Sequence, residues 1–404
     1  MLLLIGVWGI IFLFAFVLGQ ARGPKQDYLL NVLMGLSLLT AVAQFYSIYN
    51  PIDHSFFFLL GAPVVLASVS IFLSHKWQPS RWSLTQVACL ILLVWLALQL
   101  CLGQTTNVDE AGYYLPAVRW MESHPVTPGT ALLNHRIGFD SSVHMLSAVF
   151  GLRSWVEGGV YELNGFFFIL FSFYFMSKTL EVIKKREALR PSDWLVMAAL
   201  VFPFSFLVDS MDADYLSIFG GIYMHYRVLR MMETEVNPKE LSTLIFVAIF
   251  MTTVRPFNGL YALFPAMMMV RHSGWLKTIG AVGLPTLLLF VPWCVRSYYL
   301  TGYVIYPFYF LDFFDPDWKV PLHVAKASHD IIGEFAKLEI LRPEYLYDDM
   351  TQPTLSEWIL PWGQRMWETV LGKIVLITLP LRCYPMPTNC SAYGKLTISG
   401  SPPT

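Results

Sequence analysis

The stretch SLTQVACLILLVWLALQLCLGQTTNVDE, Ser83 to Glu110, decides how this chain is read. Its first part, Ser83 to Leu102, holds no charged residue and matches the roughly 20 helical residues needed to cross a bilayer core of ~30 Å. Asp109 and Glu110 follow about seven residues later, just outside the span, where an integral membrane enzyme would keep a base.

Working outward, comparable apolar runs occupy residues 1–19, 28–49, 52–73, 161–180, 194–208, 215–231, 241–254, 257–270 and 276–299. Several contain proline (Pro63, Pro203, Pro265, Pro285, Pro292), which membrane helices tolerate when neighbours satisfy the freed backbone groups. The chain has 404 residues, 55% of them hydrophobic and 14% charged, and this composition excludes a soluble enzyme. The expected fold class is all-α, a polytopic transmembrane helical bundle of about 10 or 11 spans. The 27 basic and 28 acidic residues are dispersed in short segments, so no nucleic-acid face is expected.

Lys and Arg alternate between connections, which sets an orientation. One set carries Arg22 and Lys25, Lys76 and Arg81, Lys178 to Arg190, Arg227 to Lys239, and Arg271 and Lys277. The opposite connections at 50–54 and 209–214 carry none, and the turn near 255–258 has only Arg255. The amino terminus and Asp109 are therefore expected to face outward from the plasma membrane. The first run has no basic leader and no small-residue cleavage pattern, so it reads as a retained span. The five cysteines suggest no disulfide framework and no metal site: Cys89, Cys101 and Cys294 fall in or beside spans, and Cys383 and Cys390 share a polar segment.

Two connections are long, residues 103–160 and 300–367, and long loops in compact proteins tend to carry function. In the first, Tyr113, Ala117, Trp120 and Met121 recur with helical period, and so do Val143, Leu146 and Phe150. Both segments read as amphipathic helices lying on the outer membrane surface, with Trp120 and Trp155 at headgroup depth.

The ordered set NVDEAGYYLPAVRW (Asn107–Trp120), HRIGFDSS (His135–Ser142) and TGYVIYPF followed by DWKVP (Thr301–Pro321) resembles bacterial multi-pass proteins placed near the GT-C superfamily of membrane glycosyltransferases. The resemblance spans about residues 85 to 325. It implies a GT-C-like bundle, a bacterial inner-membrane location, a polyprenyl-phosphate-linked sugar donor and a cell-envelope acceptor, as in polysaccharide biosynthesis. Here four spans precede the acidic loop where GT-C proteins have one, so the first three read as an appended unit. The expected organisation is residues 1–82 as N-terminal spans, 83–300 as the core with its acidic loop 103–160, 301–367 as an outward cover, and 368–404 as an incomplete span and polar tail.

Sugar transfer from a lipid phosphate needs a base for the acceptor hydroxyl and cations for the departing phosphate. Asp109 is the first candidate base and Glu110 the second; adjacent helical residues diverge by about 100°, so they should not serve one atom. The alternative for Asp109 is simple helix capping. Arg296, Arg255, Lys319 and Arg136 are the candidate phosphate ligands, Arg296 foremost because it ends an apolar run, where a charge must snorkel or pair with an anion. His135, Tyr113, Tyr114 and Trp318 are the candidate substrate contacts, with Tyr306 a further aromatic in the second loop. His144 reads as a polar-face residue of its helix. Asp209, Asp212 and Asp214 form an acidic turn that suits a divalent cation, sugar hydroxyls or plain solvation; no metal or cofactor is assigned.

Competing classes are a transporter or flippase and a non-catalytic assembly protein for envelope polysaccharide. Transport calls for ionisable residues within spans or for inverted repeats, whereas these spans read as nearly free of charge and no repeat is visible. The apolar run Val370–Leu381, broken by Lys373, is short for a span, from which a truncated or shifted reading frame is expected. Donor sugar, acceptor and oligomeric state have no sequence signature here.

Overall fold

A computed structural model describes residues 1–19, 27–73, 82–103, 105, 107–185, 188–200, 207–338 and 354–368. The described residues are helical and contain no strand. In chain order the α-helices are α1 (Leu2–Gly19), α2 (Tyr28–Ser47), α3 (His54–Leu73), α4 (Leu84–Cys101), α5 (Leu115–Ser123), α6 (Ser142–Phe150), α7 (Leu163–Lys185), α8 (Pro191–Ala199), α9 (Ala213–Glu233), α10 (Pro238–Val254), α11 (Leu263–Ser273), α12 (Trp275–Pro285), α13 (Val291–Thr301), α14 (Leu322–Leu338) and α15 (Leu355–Glu368). Residues 1–333 belong to one compact unit, and residues 334–338 with 354–368 belong to another. In the second, α15 begins with Glu357 accepting the Thr354 amide and stacks Trp358 edge-on against Trp362.

Five segments are long and apolar enough to cross a membrane: Leu2–Gly19, Tyr28–Ser47, Leu84–Cys101, Leu163–Lys184 and Trp275–Thr301. The other expected spans within the described residues are helices too, but α8 and α11 are short and α9 carries Asp214, Arg227 and Arg230. The long segment at 275–301 holds Pro285 and Pro292, and a π turn at Thr286–Phe290 re-forms the ladder where proline offers no N–H. The expected truncation, Pro203, Cys383 and Cys390 lie outside the described residues.

Burial separates central helices from peripheral ones. In α2, 78% of the apolar window is buried, against 17% in α4 and 28% across 275–301. Leu84, Ile91, Leu92 and Trp95 on α4, and Leu276, Ile279 and Leu287 further on, are exposed, an apolar surface that only lipid or another protein would cover. α1 and α2 pack at backbone contact: a Cβ on Gly35 would overlap the Ala15 carbonyl, and one on Gly19 the Asn31 carbonyl. The pairs 15 with 35 and 19 with 31 give the falling register of an antiparallel hairpin, built on small residues as membrane helices often are.

The two ends of the bundle differ in chemistry. At one end Tyr174 donates to Asp27, and Arg227 bonds both Asp27 and Glu240, all largely buried. Arg227 sits inside α9, and its two carboxylates come from Asp27, 200 residues away, and from Glu240, 13 residues on. Lys178, Arg190, Arg230 and Lys239 lie on or beside helices that begin or end here. At the other end Ser47, Ser141 and Val254 converge with the acidic loop.

α5 is amphipathic as expected, burying Ala117, Val118, Met121 and Glu122 while Arg119 and Ser123 stay exposed. α6 is not a surface helix: every residue from Ser142 to Phe150 is buried. Its apolar period was real, but the remaining residues are small or internally bonded, with Ser142 joined to Gln44 and Thr253 and Ser147 donating to the Val143 carbonyl. His144 is correspondingly buried rather than on a polar face.

Candidate functional site

The loop after α4 is shaped by Asn107. Its Oδ1 accepts the Asp109 amide at 3.0 Å, and its Nδ2 reaches Asp212 Oδ2 at 3.3 Å and Ser210 at 3.4 Å. Asn107 thus supplies the local cap and ties the loop to the start of α9. Asp109 is relieved of capping: it makes no side-chain cap bond and instead accepts from Arg136 Nη1 at 2.7 Å. A π turn, Glu110–Tyr114, leads into α5, an irregularity found frequently at functional sites. The two neighbouring carboxylates go to separate partners, since Glu110 Oε2 accepts the Met211 amide at 2.9 Å.

Arg136 is set by the short 3₁₀ turn His135–Phe139, capped by Asn134, whose Nδ2 in turn bonds the Gly112 carbonyl at 3.0 Å. The guanidinium lies 5.7 Å from the Tyr113 ring centre and keeps 43% of its side chain exposed. One nitrogen holds Asp109; a guanidinium carries five N–H donors in a planar fork, so capacity for an anion remains. Burial and the adjacent Arg136 lower the His135 pKa, which keeps its imidazole neutral at pH 7.

A second group adjoins the first. Asp212 caps α9 through the Asp214 amide at 2.7 Å and accepts from the Tyr114 hydroxyl at 2.9 Å. Arg255 lies 3.6 Å from Asp212 and donates to Asp214 at 2.9 Å. The acidic turn is therefore bonded into the fold, and no group of three His, Cys, Asp or Glu suited to a metal occurs among the described residues. Burial, helped by Glu162, Asp209 and Asp212 and opposed by the Met211 amide, pushes Glu110 up to about 7. Burial also pushes Tyr113 up to about 12 and His144, packed 4.8 Å from the Tyr114 ring, down to about 3, so both are neutral at pH 7.

The remaining candidates are elsewhere. Arg296 is 2% exposed and is held by Asp140 through two bonds of 3.0 and 2.8 Å and by Ser47 at 2.6 Å. It does not snorkel; its anion is Asp140, a buried residue of the 103–160 loop itself. Lys319 bonds Asp312 at 2.7 Å and Asp315 at 3.2 Å and lies over Tyr303. Trp318 packs on Tyr298, with its Cβ close to Gly129. Tyr306 is buried and bonded to Ser328. Of the four candidate cations, Arg136 alone combines contact with Asp109 and substantial exposure. Asn107, Asp140 and the Met211 amide were passed over because their roles depend on partners roughly one hundred or more residues away, for which the sequence carries no local period.

The profile of the family described as Domain of unknown function (DUF8201) matches residues 1–391. No curated protein and no solved structure matches the chain.

Proposed function

The chain belongs to the DUF8201 family, and from its own geometry we propose that it is an integral membrane glycosyltransferase of GT-C type. It would transfer a sugar from a polyprenyl-phosphate donor to a cell-envelope acceptor on the extracytoplasmic side of a bacterial plasma membrane. The observation that carries this reading is the Asp109–Arg136 pair, open to solvent at the end of the lipid-exposed helix α4. A lipid carrier can travel along α4 and present its phosphate at that point.

In the proposed step, the acceptor hydroxyl attacks the anomeric carbon of the donor and gives its proton to the Asp109 carboxylate. The bond from that carbon to the phosphate oxygen breaks with inversion. The departing polyprenyl phosphate takes the electron pair and is held by the unengaged N–H groups of Arg136. Glu110, displaced toward neutral pH by burial, is the second base in reach of the same loop. Arg255 fixes Asp212 and Asp214 and so shapes the wall behind Tyr114.

The test is transfer of labelled sugar from polyprenyl phosphate in membranes carrying Asp109→Asn. A positioned carboxylate base contributes about 10² to 10⁴-fold, and a loss of that size with unchanged protein level is expected. Undiminished transfer removes Asp109 from the chemistry. The buried Asp27–Arg227–Glu240 group gives a transporter reading one point of support, because ionisable groups inside a bundle often mark transport paths. Asp27 and Glu240 stand at helix starts, however, so the group fastens one end of the bundle.

A further inference from the structure

A cavity of about 240 Å³ opens at the end of α5 remote from Asp109. Its walls include Asp53, His54 and Phe57 from the start of α3, Glu122 from α5, and Arg153 and Trp155 from the loop after α6. The Ile52 amide bonds the Met121 carbonyl at 2.8 Å and fixes the α3 side of the cavity against α5. Thirteen residues separate Asp109 from Glu122, which at ~1.5 Å of rise each places the two sites roughly 20 Å apart.

Glu122 is the unusual group. Its side chain is 5% exposed; Oε2 accepts from the Tyr161 hydroxyl at 2.8 Å and lies 3.7 Å from Arg153. Its other oxygen, Oε1, is buried without a hydrogen-bond partner among the described residues. An unsatisfied buried oxygen is costly. Arg153 also reaches the Ser123 hydroxyl at 3.2 Å. Trp155 meets Phe57 edge-on at 5.1 Å and is half exposed, leaving indole surface for a visitor.

The charges choose among ligands. Two carboxyls, Asp53 and Glu122, face one guanidinium, with His54 3.9 Å from Asp53, so the cavity offers a phosphate more acceptors than cations. A neutral polyol suits both: its hydroxyls donate to the carboxyls and accept from Arg153, and its C–H face lies on an indole. The volume suits one ring. We propose that this cavity binds a single neutral pyranose, a unit of the acceptor glycan remote from the reacting hydroxyl. Only the word acceptor rests on the transferase reading; the sugar site itself does not.

The test is saturation-transfer NMR on the full chain in lipid nanodiscs, free of glycoside detergents, titrated with methyl glucoside, galactoside and mannoside, and separately with glycerol phosphate. Binding of at least one glycoside is expected in the wild type and undiminished in Asp109→Asn. Trp155→Ala and Glu122→Gln should each weaken it about tenfold, with thermal midpoints confirming that both variants fold. No glycoside binding in the wild type, binding that survives both substitutions, or binding of glycerol phosphate in its place overturns the proposal. Absence of labelled-sugar transfer by the wild type alongside intact glycoside binding overturns the transferase reading and leaves the sugar site standing.

Discussion

Replacing Arg296 by methionine separates a structural arginine from a phosphate ligand. The side chain is sealed, 2% exposed, with both Asp140 oxygens and the Ser47 hydroxyl on its nitrogens. Methionine preserves the apolar stem but strands the Asp140 carboxylate, itself only 2% exposed, in a place that water reaches poorly. Breaking a buried pair in this way costs about 3–5 kcal/mol, far more than loss of an exposed one. At ~2 °C per kcal/mol for a large domain, the midpoint of thermal unfolding should fall by roughly 6 to 10 °C. Adding Asp140→Asn removes the stranded charge and should recover part of the loss; asparagine also accepts the left-handed backbone found at residue 140, where φ is 31°. The assay is thermal unfolding in nanodiscs, followed by tryptophan fluorescence, run beside sugar transfer at a temperature where the variant is folded. An unchanged midpoint with abolished transfer would refute the reasoning, because Arg296 would then act on substrate rather than on Asp140.

Arg136→Lys should keep part of the donor affinity and lose most of the turnover, since an ammonium cannot hold Asp109 and a phosphate in one planar fork; equal kinetics in both proteins count against the shared-guanidinium arrangement. Glu122 has its pKa raised by burial to about 7 from an ordinary 4.5, against the pull of Tyr161 and Arg153. The native state therefore binds a proton that the unfolded chain releases, and stability should fall as pH rises from 4.5 to 7. Glu122→Gln should flatten that part of the midpoint-against-pH curve; an identical curve in the variant would place the carboxyl in water.

What could be read in advance follows the range of each interaction. The spans 1–19, 28–49 and 83–102 agree with α1, α2 and α4 to within about two residues, because an apolar run long enough for a bilayer is a local property. The Asp109–Glu110 pair was conspicuous for the same reason. α6 was misplaced because periodicity marks one face and says nothing of whether the other face finds partners inside; Ser142 does, in Thr253 and Gln44. Arg296 was recognised as needing an anion, yet Asp140 lies 156 residues away and no local pattern joins them. Within the expected cover 301–367, α14 and α15 are helices with one apolar face each, a period the sequence reading did not single out.

The sequence by itself determined the class of molecule, a helical membrane protein with carboxylates beyond its fourth apolar run, because hydrophobic length and charge placement act over a turn or a loop. Tertiary structure alone decided which arginine meets which aspartate. Arg136 went to the exposed Asp109 and Arg296 to the buried Asp140, since a charge leaving water settles on whichever counter-ion the packed helices bring within bonding distance.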